Sequence, residues 1–122
     1  MSTAKGFKSA FSSRFAMATA GKANTNMEIA ADKKLQKYIA MTEKALTLVR
    51  IAAADKNSRE YKSAADFLQM AKNYLSDSRH FAKKGDVLTA IAAASYAHAW
   101  LDAGARLGLF KVDNNSDLFT VD

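Results

Sequence analysis

The sequence predicts an all-α fold: an up-down-up antiparallel three-helix bundle with an extra short N-terminal amphipathic helix and an irregular C-terminal tail. The 122 residues include no proline and five glycines, so little in the chain interrupts a long helix. Apolar residues recur at alternating three- and four-residue steps in successive segments, which is the spacing of one helix face. The connections between these segments are short, and short connections make consecutive helices antiparallel.

The charge pattern divides the chain into a basic N-terminal arm, residues 1–24, and a bundle domain with its tail, residues 25–122. The arm has no acidic residue and supplies +4 of the net charge of +6 through Lys5, Lys8, Arg14 and Lys22. Phe7, Phe11 and Phe15 are four residues apart, so a helix would place them on one side. This spacing predicts a short helix whose phenylalanines dock on an apolar surface.

The first bundle helix is predicted to begin near residue 26, where Thr25 and Glu28 have the spacing of a capping box. Its apolar stripe extends to residue 52 and contains Leu35, Tyr38, Thr42, Ala45, Val49 and Ala52. Lys33 and Lys37 lie together on the opposite side of the helical wheel, so we expect a solvated basic face there.

The second helix is predicted over residues 59–83, with Asn57 and Glu60 as its candidate capping pair. It carries two adjoining apolar rows, and a face that wide predicts contact with both other helices. The rows contain Tyr61, Ala64, Leu68, Ala71, Leu75, Ser78 and Ala82, then Phe67, Met70, Tyr74 and Phe81. The helical wheel places Asp66 and Asp77 on the exposed side.

The third helix is predicted over residues 87–110, after a tight reversal in which Gly85 ends one helix and Asp86 caps the next. It is apolar in nearly every direction, which predicts the buried helix of the bundle. Its narrow polar sector consists of Ser95, His98, Asp102 and Arg106. After a turn at residues 114–116, the segment "LFTV" is expected to return and cover an open end of the bundle.

The string "DFLQMAKNYLSDSRHFAKKGDVLTAIAAASYAHAWLDAGARLGLF", preceded by "MTEKAL", resembles the uncharacterised archaeal family known as domain of unknown function 357. The "KKGD" turn and the segment "YAHAWLDAGARLGLF" carry most of the likeness, which covers roughly residues 35–112. The resemblance implies a small three-helix bundle of archaeal, cytoplasmic origin, and it implies no activity. The basic arm lies outside it.

No catalytic, cofactor or metal site is expected from the motifs. His98 and Asp102 are four apart and could begin a metal site with Asp66 or Asp77, but no HExxH motif or Cys/His cluster completes it. We instead expect Asp102 to pair with Arg106. The sequence contains neither G-x-S-x-G nor a glycine-rich phosphate loop, and the absence of cysteine excludes disulfides and thiolate metal ligands.

Two functions of different classes remain open. The first is a non-enzymatic interaction or scaffold module, whose arm and bundle surface engage a protein partner or a second copy. The second is an accessory RNA- or ribosome-associated protein, with Lys33 and Lys37 extending the basic surface of the arm. Membrane association is disfavoured because the arm is short and its basic face thin, and nothing implies a small-molecule substrate. Tyr74, Tyr96 and Trp100 are expected in the core and not as a base-stacking set.

Overall fold

The computed structural model describes residues 26–113 together with residues 118 and 119. The elements in chain order are α1 Asn26–Leu48, β1 Arg50–Ile51, α2 Arg59–Lys83, α3 Val87–Arg106 and β2 Phe110–Lys111. The three helices pack together, which confirms the prediction of an all-α bundle. The N-terminal arm, with the helix predicted for it, lies outside the described residues.

The first helix ends earlier than its apolar stripe predicted. α1 ends at Leu48, and Arg50 and Ile51 pair antiparallel with Lys111 and Phe110. The backbone N–H of Ala52 then donates to the carbonyl of Leu109 at 2.9 Å. The prediction of helix up to residue 52 was wrong because these hydrogen bonds to a distant segment replace those of a further helical turn.

The second helix has the predicted bounds but a different cap. The hydroxyl oxygen of Ser58 accepts the backbone N–H of Tyr61 at 3.1 Å, so Ser58 is the N-cap. The predicted capping pair of Asn57 and Glu60 was therefore wrong. Asn57 instead donates its backbone N–H to the carboxylate of Asp55 at 2.9 Å, within the turn that precedes the helix.

The reversal between α2 and α3 matches its prediction. Gly85 has a φ of 79°, which is the left-handed conformation that favours glycine after a helix end. The carboxylate of Asp86 accepts the backbone N–H of Thr89 at 3.3 Å and caps α3. The turn therefore brings the start of α3 directly beside the end of α2.

The third helix is central to the bundle, as its composition predicted. It makes the largest helix–helix interface with α2 and the next largest with α1, whereas α1 and α2 touch each other much less. Ala90, Ala93 and Ala97 are fully buried, and their small side chains let the neighbouring helices approach closely. The hydroxyl of Ser78 donates across the α2–α3 interface to the carbonyl of Ala90 at 2.7 Å. The wide face of α2 is used mainly against α3.

The C-terminal end of α3 is closed by the chain that follows it. The prediction of helix up to residue 110 was wrong: α3 ends at Arg106, and Gly108 turns the chain with a φ of 84°. The ring of Phe110 then packs over Gly104, where a Cβ atom would lie only 2.3 Å from the ring. Phe119 is buried in the same cluster, so the tail does return to one end of the bundle. None of the described helices is long and apolar enough to cross a membrane.

Candidate functional site

A row of apolar side chains on α3 adjoins a buried tyrosine of α2. We call this surface the aromatic face and define it by Leu88, Ala92 and Tyr96 of α3, with Tyr74 of α2 beneath its edge. The rings of Tyr74 and Tyr96 meet edge to face, with centroids 5.3 Å apart and an interplanar angle of 63°. This contact shows that the residues from the two helices adjoin one another.

The sequence spacing explains why the α3 residues form a continuous row. Leu88, Ala92 and Tyr96 follow one another at four-residue steps, which places them along one side of a helix. Leu88 is 45% exposed and Tyr96 is 43% exposed, although both are large and apolar. A row of this kind is suited to contact with another apolar element.

Asp77 of α2, whose charge acts on Tyr74, is unusual because it is fully buried. Asp66 precedes it by about three helical turns in nearly the same direction on the wheel, and Asp66 is exposed. The predicted exposure was therefore right for Asp66 and wrong for Asp77. A helical wheel shows only the direction in which a side chain points. It cannot show that neighbouring residues cover α2 at Asp77 and leave it exposed at Asp66. A carboxylate out of water needs nearby positive charge or hydrogen-bond donors.

Burial also affects Tyr74 on the same face. Burial raises the pKa of the Tyr74 hydroxyl above its ordinary value of 10.0, and the negative charges of ionised Tyr96 and of Asp77 raise it further. The Tyr74 phenol therefore keeps its proton at neutral pH. It can act as a hydrogen-bond donor beside the Asp77 carboxylate.

Thr89 adds a second buried polar group close to this surface. It lies two helical turns before Tyr96 on the same side of α3, and it is fully buried. Its hydroxyl oxygen has no hydrogen-bond partner among the described residues. Burial of an unsatisfied hydroxyl costs on the order of 1–3 kcal/mol.

The predicted polar sector of α3 does not form one site. The hydroxyl of Ser95 donates to the carbonyl of Ile91, one turn back in its own helix, at 3.0 Å. Asp102 is half-buried and Arg106 is exposed, and their pairing with each other stays a prediction. Ser95 and His98 thus make separate contacts and do not form a nucleophile and base.

His98 holds the C-terminal tail. Its Nε2 atom lies 2.5 Å from the carbonyl oxygen of Leu118, which accepts a hydrogen bond from Nε2. Its ring stacks on Phe119 with centroids 6.1 Å apart. Sequence reasoning missed this contact because the tail is twenty residues away and carries no motif that names a partner.

A small cleft between α1 and α3 also includes His98. Its volume is about 210 Å³, and it is lined by Tyr38, Met41, Thr42, Ala94, Ser95 and His98. Sites for drug-sized ligands occupy roughly 300–1,000 Å³, so this cleft suits at most a small apolar group. Within residues 26–113, 118 and 119, no three His, Cys, Asp or Glu residues are grouped as metal ligands.

Tyr74, Tyr96 and Trp100 were all predicted to lie in the core and not to form a base-stacking set, and the structure places only some of them in the core. Tyr74 is buried, and Trp100 packs edge to face on Phe67 with centroids 4.9 Å apart. Tyr96 is 43% exposed, so its predicted place in the core was wrong. It lies at the rim of the contact between α2 and α3, where its ring meets that of Tyr74.

The basic residues singled out from the sequence are only partly described. Lys33 and Lys37 are both exposed on α1, as predicted. Beside them, the ammonium group of Lys34 lies 5.8 Å from the centre of the Tyr38 ring. The remaining candidates lie outside the described residues: Phe7, Phe11, Phe15, Lys5, Lys8, Arg14 and Lys22.

Comparison with protein families finds one match. Residues 37–110 match the model of the family described as "Protein of unknown function (DUF357)". The match spans both helix connections and ends within β2, so it includes the whole aromatic face and the turn at Gly85. Neither the curated proteins nor the solved structures give a match.

Proposed function

Because the chain belongs to this family of proteins of unknown function, we propose its function from the structure: it is a non-enzymatic interaction module. Its aromatic face binds an amphipathic helix of a protein partner. The observation that carries this proposal is a row of apolar side chains on α3 in which two large residues stay open to solvent, Leu88 at 45% and Tyr96 at 43%. This row gives a partner apolar contact area.

The spacing of the exposed row supports a helical partner. Leu88, Ala92 and Tyr96 follow one another at four-residue steps, and the ring of Tyr96 meets that of Tyr74 on α2. A helix with apolar residues at four-residue steps can pack along such a row. Aromatic side chains such as Tyr96 are enriched at the centres of protein interfaces.

A binding role is favoured over catalysis by the contacts of the polar residues. Ser95 donates to its own helix and His98 to the tail, so neither hydroxyl nor imidazole is positioned to activate the other. The proposal places the module in the cytoplasm of an archaeon, a setting that rests on the family resemblance. It also takes the helices in the predicted up-down-up order, which the tight turn at Gly85 supports.

The proposal is tested by purifying partners with the tagged full-length chain and two matched variants. Leu88→Asp places a charge on the aromatic face, and Leu107→Asp makes the same change at a leucine that is 70% exposed outside it. We expect one protein to be retained by the natural chain and by Leu107→Asp but lost with Leu88→Asp. Cross-linking should then map its contact to an amphipathic helix.

Equal retention by both aspartate variants would overturn the proposed role of the aromatic face. Loss of folding is excluded by urea unfolding, because both leucines are exposed and each substitution should change the free energy of unfolding by about 0.5 kcal/mol or less. This control separates a lost contact from a lost fold.

The second candidate function is association with RNA or the ribosome. The exposed Lys33 and Lys37 on α1 favour it, together with the basic arm. Phosphate contacts make binding fall steeply with salt, by a log–log slope of about −0.7 per contact on single strands. Lys33→Glu with Lys37→Glu should then flatten the slope by roughly 1–2, and Lys62→Glu with Lys72→Glu on α2 is the matched control. Absence of RNA binding at low salt would exclude this candidate.

A further inference from the structure

We propose that the cleft between α1 and α3 is a binding site for a small aromatic carboxylate. The ring of this ligand lies in the cleft, and its carboxylate lies beside Lys34. The cleft shares no residue with the aromatic face. The inference therefore goes beyond the proposed function, and each of the two can fail without the other.

The volume of the cleft sets the size of the ligand. The cleft holds about 210 Å³. A cavity of about 150 Å³ is sufficient for benzene. Ligands of drug size occupy roughly 300–1,000 Å³ and would not fit. The cleft therefore suits one six-membered ring that carries a short substituent.

The side chains around the cleft favour an aromatic ring over an aliphatic one. Tyr38 and Met41 of α1 and His98 of α3 line it and are half-buried, so each keeps some surface open. Ala94 and Thr42 are buried at its base. Aromatic rings gain energy from edge-to-face or offset contact with other rings, and a thioether sulfur packs well at a ring edge. A ring in the cleft would meet two aromatic side chains and one thioether.

The imidazole of His98 is held in place without any ligand. The carbonyl of Leu118 accepts a hydrogen bond from its Nε2 atom, and Phe119 stacks on its ring. A side chain that is already fixed loses little conformational freedom when a ligand contacts it. The wall that α3 contributes to the cleft is therefore preorganised for binding.

A positive charge beside the cleft selects an anionic substituent on the ring. The ammonium group of Lys34 lies 5.8 Å from the centre of the Tyr38 ring. Lys34, Tyr38 and Met41 are separated by four and three residues, which places them on one side of α1. None of the six residues that line the cleft is acidic. A carboxylate at the mouth of the cleft can therefore pair with Lys34 and meets no negative charge on the lining.

An NMR titration of the isotope-labelled full-length chain with phenylacetate tests the site directly. We expect saturable shifts of the amide resonances of residues 38, 41, 94, 95 and 98, with a Kd on the order of 1 mM for a ligand of this size. The amides of residues 59–66, at the start of α2, should not shift. The proposal is wrong if the cleft amides do not shift, or if their shifts grow linearly without saturation.

Two matched ligands measure what the charge and the ring contribute. Phenylacetamide keeps the ring and removes the charge, and it should bind about two- to fivefold more weakly, because exposed ion pairs are weak. Cyclohexylacetate keeps the charge and removes the aromatic character, and it should bind about two- to tenfold more weakly. If phenylacetamide binds as tightly as phenylacetate, the role of Lys34 is wrong. If cyclohexylacetate does so, the assignment of an aromatic ligand is wrong.

Two pairs of variants locate the site on the chain. Ser95→Phe places a ring at the exposed mouth of the cleft and should abolish binding of phenylacetate. Ser76→Phe makes the same change at an exposed serine of α2 and should retain it. Lys34→Gln should weaken binding of phenylacetate about two- to fivefold and leave that of phenylacetamide unchanged, whereas Lys33→Gln should alter neither.

The fold should survive all four substitutions, because both serines and both lysines are exposed. The amide spectrum of each variant reports this. Binding that is unchanged in both Ser95→Phe and Lys34→Gln would overturn the proposal. Loss of partner retention by Leu88→Asp would in that case still support the proposed function of the aromatic face.

Discussion

The two halves of α3 differ in where their large apolar side chains lie. In the C-terminal half, Leu101 is fully buried, and Phe110 and Phe119, which pack near that end, are no more than 4% exposed. In the N-terminal half, Leu88 and Tyr96 keep close to half of their surfaces exposed, and the fully buried Ala90 and Ala93 supply the core contacts. The same helix therefore buries bulk in one half and exposes it in the other.

The two halves of α3 also differ in which part of the chain supplies the large side chains. At the C-terminal end, two phenylalanine rings and the β1–β2 pairing close the core over small residues of α3. At the N-terminal end, α3 itself supplies the large side chains, and they face outward. Substitutions in the two regions should consequently differ in kind, with stability lost at the first and, under the proposed function, partner binding lost at the second.

The largest effect is expected from Phe110→Ala, which removes a buried ring from the closed end. Loss of its contacts and the cavity left behind should lower the free energy of unfolding by about 3–5 kcal/mol. Urea unfolding followed by the fluorescence of Trp100, the single tryptophan, measures this change. Leu107→Ala, at an exposed neighbouring position, is the control and should change stability by about 0.5 kcal/mol or less. Equal effects would contradict the assigned core.

A smaller effect is expected from Gly104→Ala. The added methyl group would lie 2.3 Å from the Phe110 ring, and the ring is only 4% exposed, so a shift would press it against other core residues. Overpacking of this kind should cost about 1–3 kcal/mol. The double variant Gly104→Ala with Phe110→Leu should be less destabilised than the sum of the single changes, because the smaller side chain makes room for the methyl group. If the losses of unfolding free energy in the two single variants simply add up in the double variant, the two side chains do not contact each other.

Loss of the contact between His98 and the C-terminal tail should lower the free energy of unfolding by less than either of these changes. His98→Ala removes one hydrogen bond to the Leu118 carbonyl and one stacked contact with Phe119, which together are worth about 1–2 kcal/mol. Ser95→Ala is the matched control, since Ser95 bonds only to its own helix and is exposed. Hydrogen exchange should also show that the amide of residue 119 loses protection with His98→Ala. Unchanged protection would mean that other contacts hold the tail.

The sequence was sufficient for the features that depend on local chemistry. The bounds of α2, the left-handed Gly85 and the capping by Asp86 all follow from residues within one turn of each other. The central place of α3 followed from its composition, because a helix that is apolar nearly all round has to be buried.

The features that were missed depend on residues far apart in the chain. β1 forms because Arg50 and Ile51 meet a segment about sixty residues later, and a two-residue strand has no pattern of its own. Asp77 is buried and Tyr96 is half-exposed because of how α2 and α3 sit against their surroundings. A helical wheel assigns both residues to directions, but only the assembled bundle decides which directions are covered.

The smallest effect is expected at the aromatic face and appears only at high pH. Burial raises the pKa of Tyr74, so the folded chain keeps this proton where the unfolded chain, with a pKa near 10.0, begins to lose it. The free energy of unfolding should therefore fall as the pH rises through about 10, while this proton contributes no pH dependence near pH 7. Tyr74→Phe should flatten that fall, and Tyr96→Phe should reduce it partly by removing one neighbouring charge. Urea unfolding between pH 8 and pH 11 measures this free energy for the natural chain, Tyr74→Phe and Tyr96→Phe. If it falls as steeply with pH in Tyr74→Phe as in the natural chain, a group other than Tyr74 causes the pH dependence.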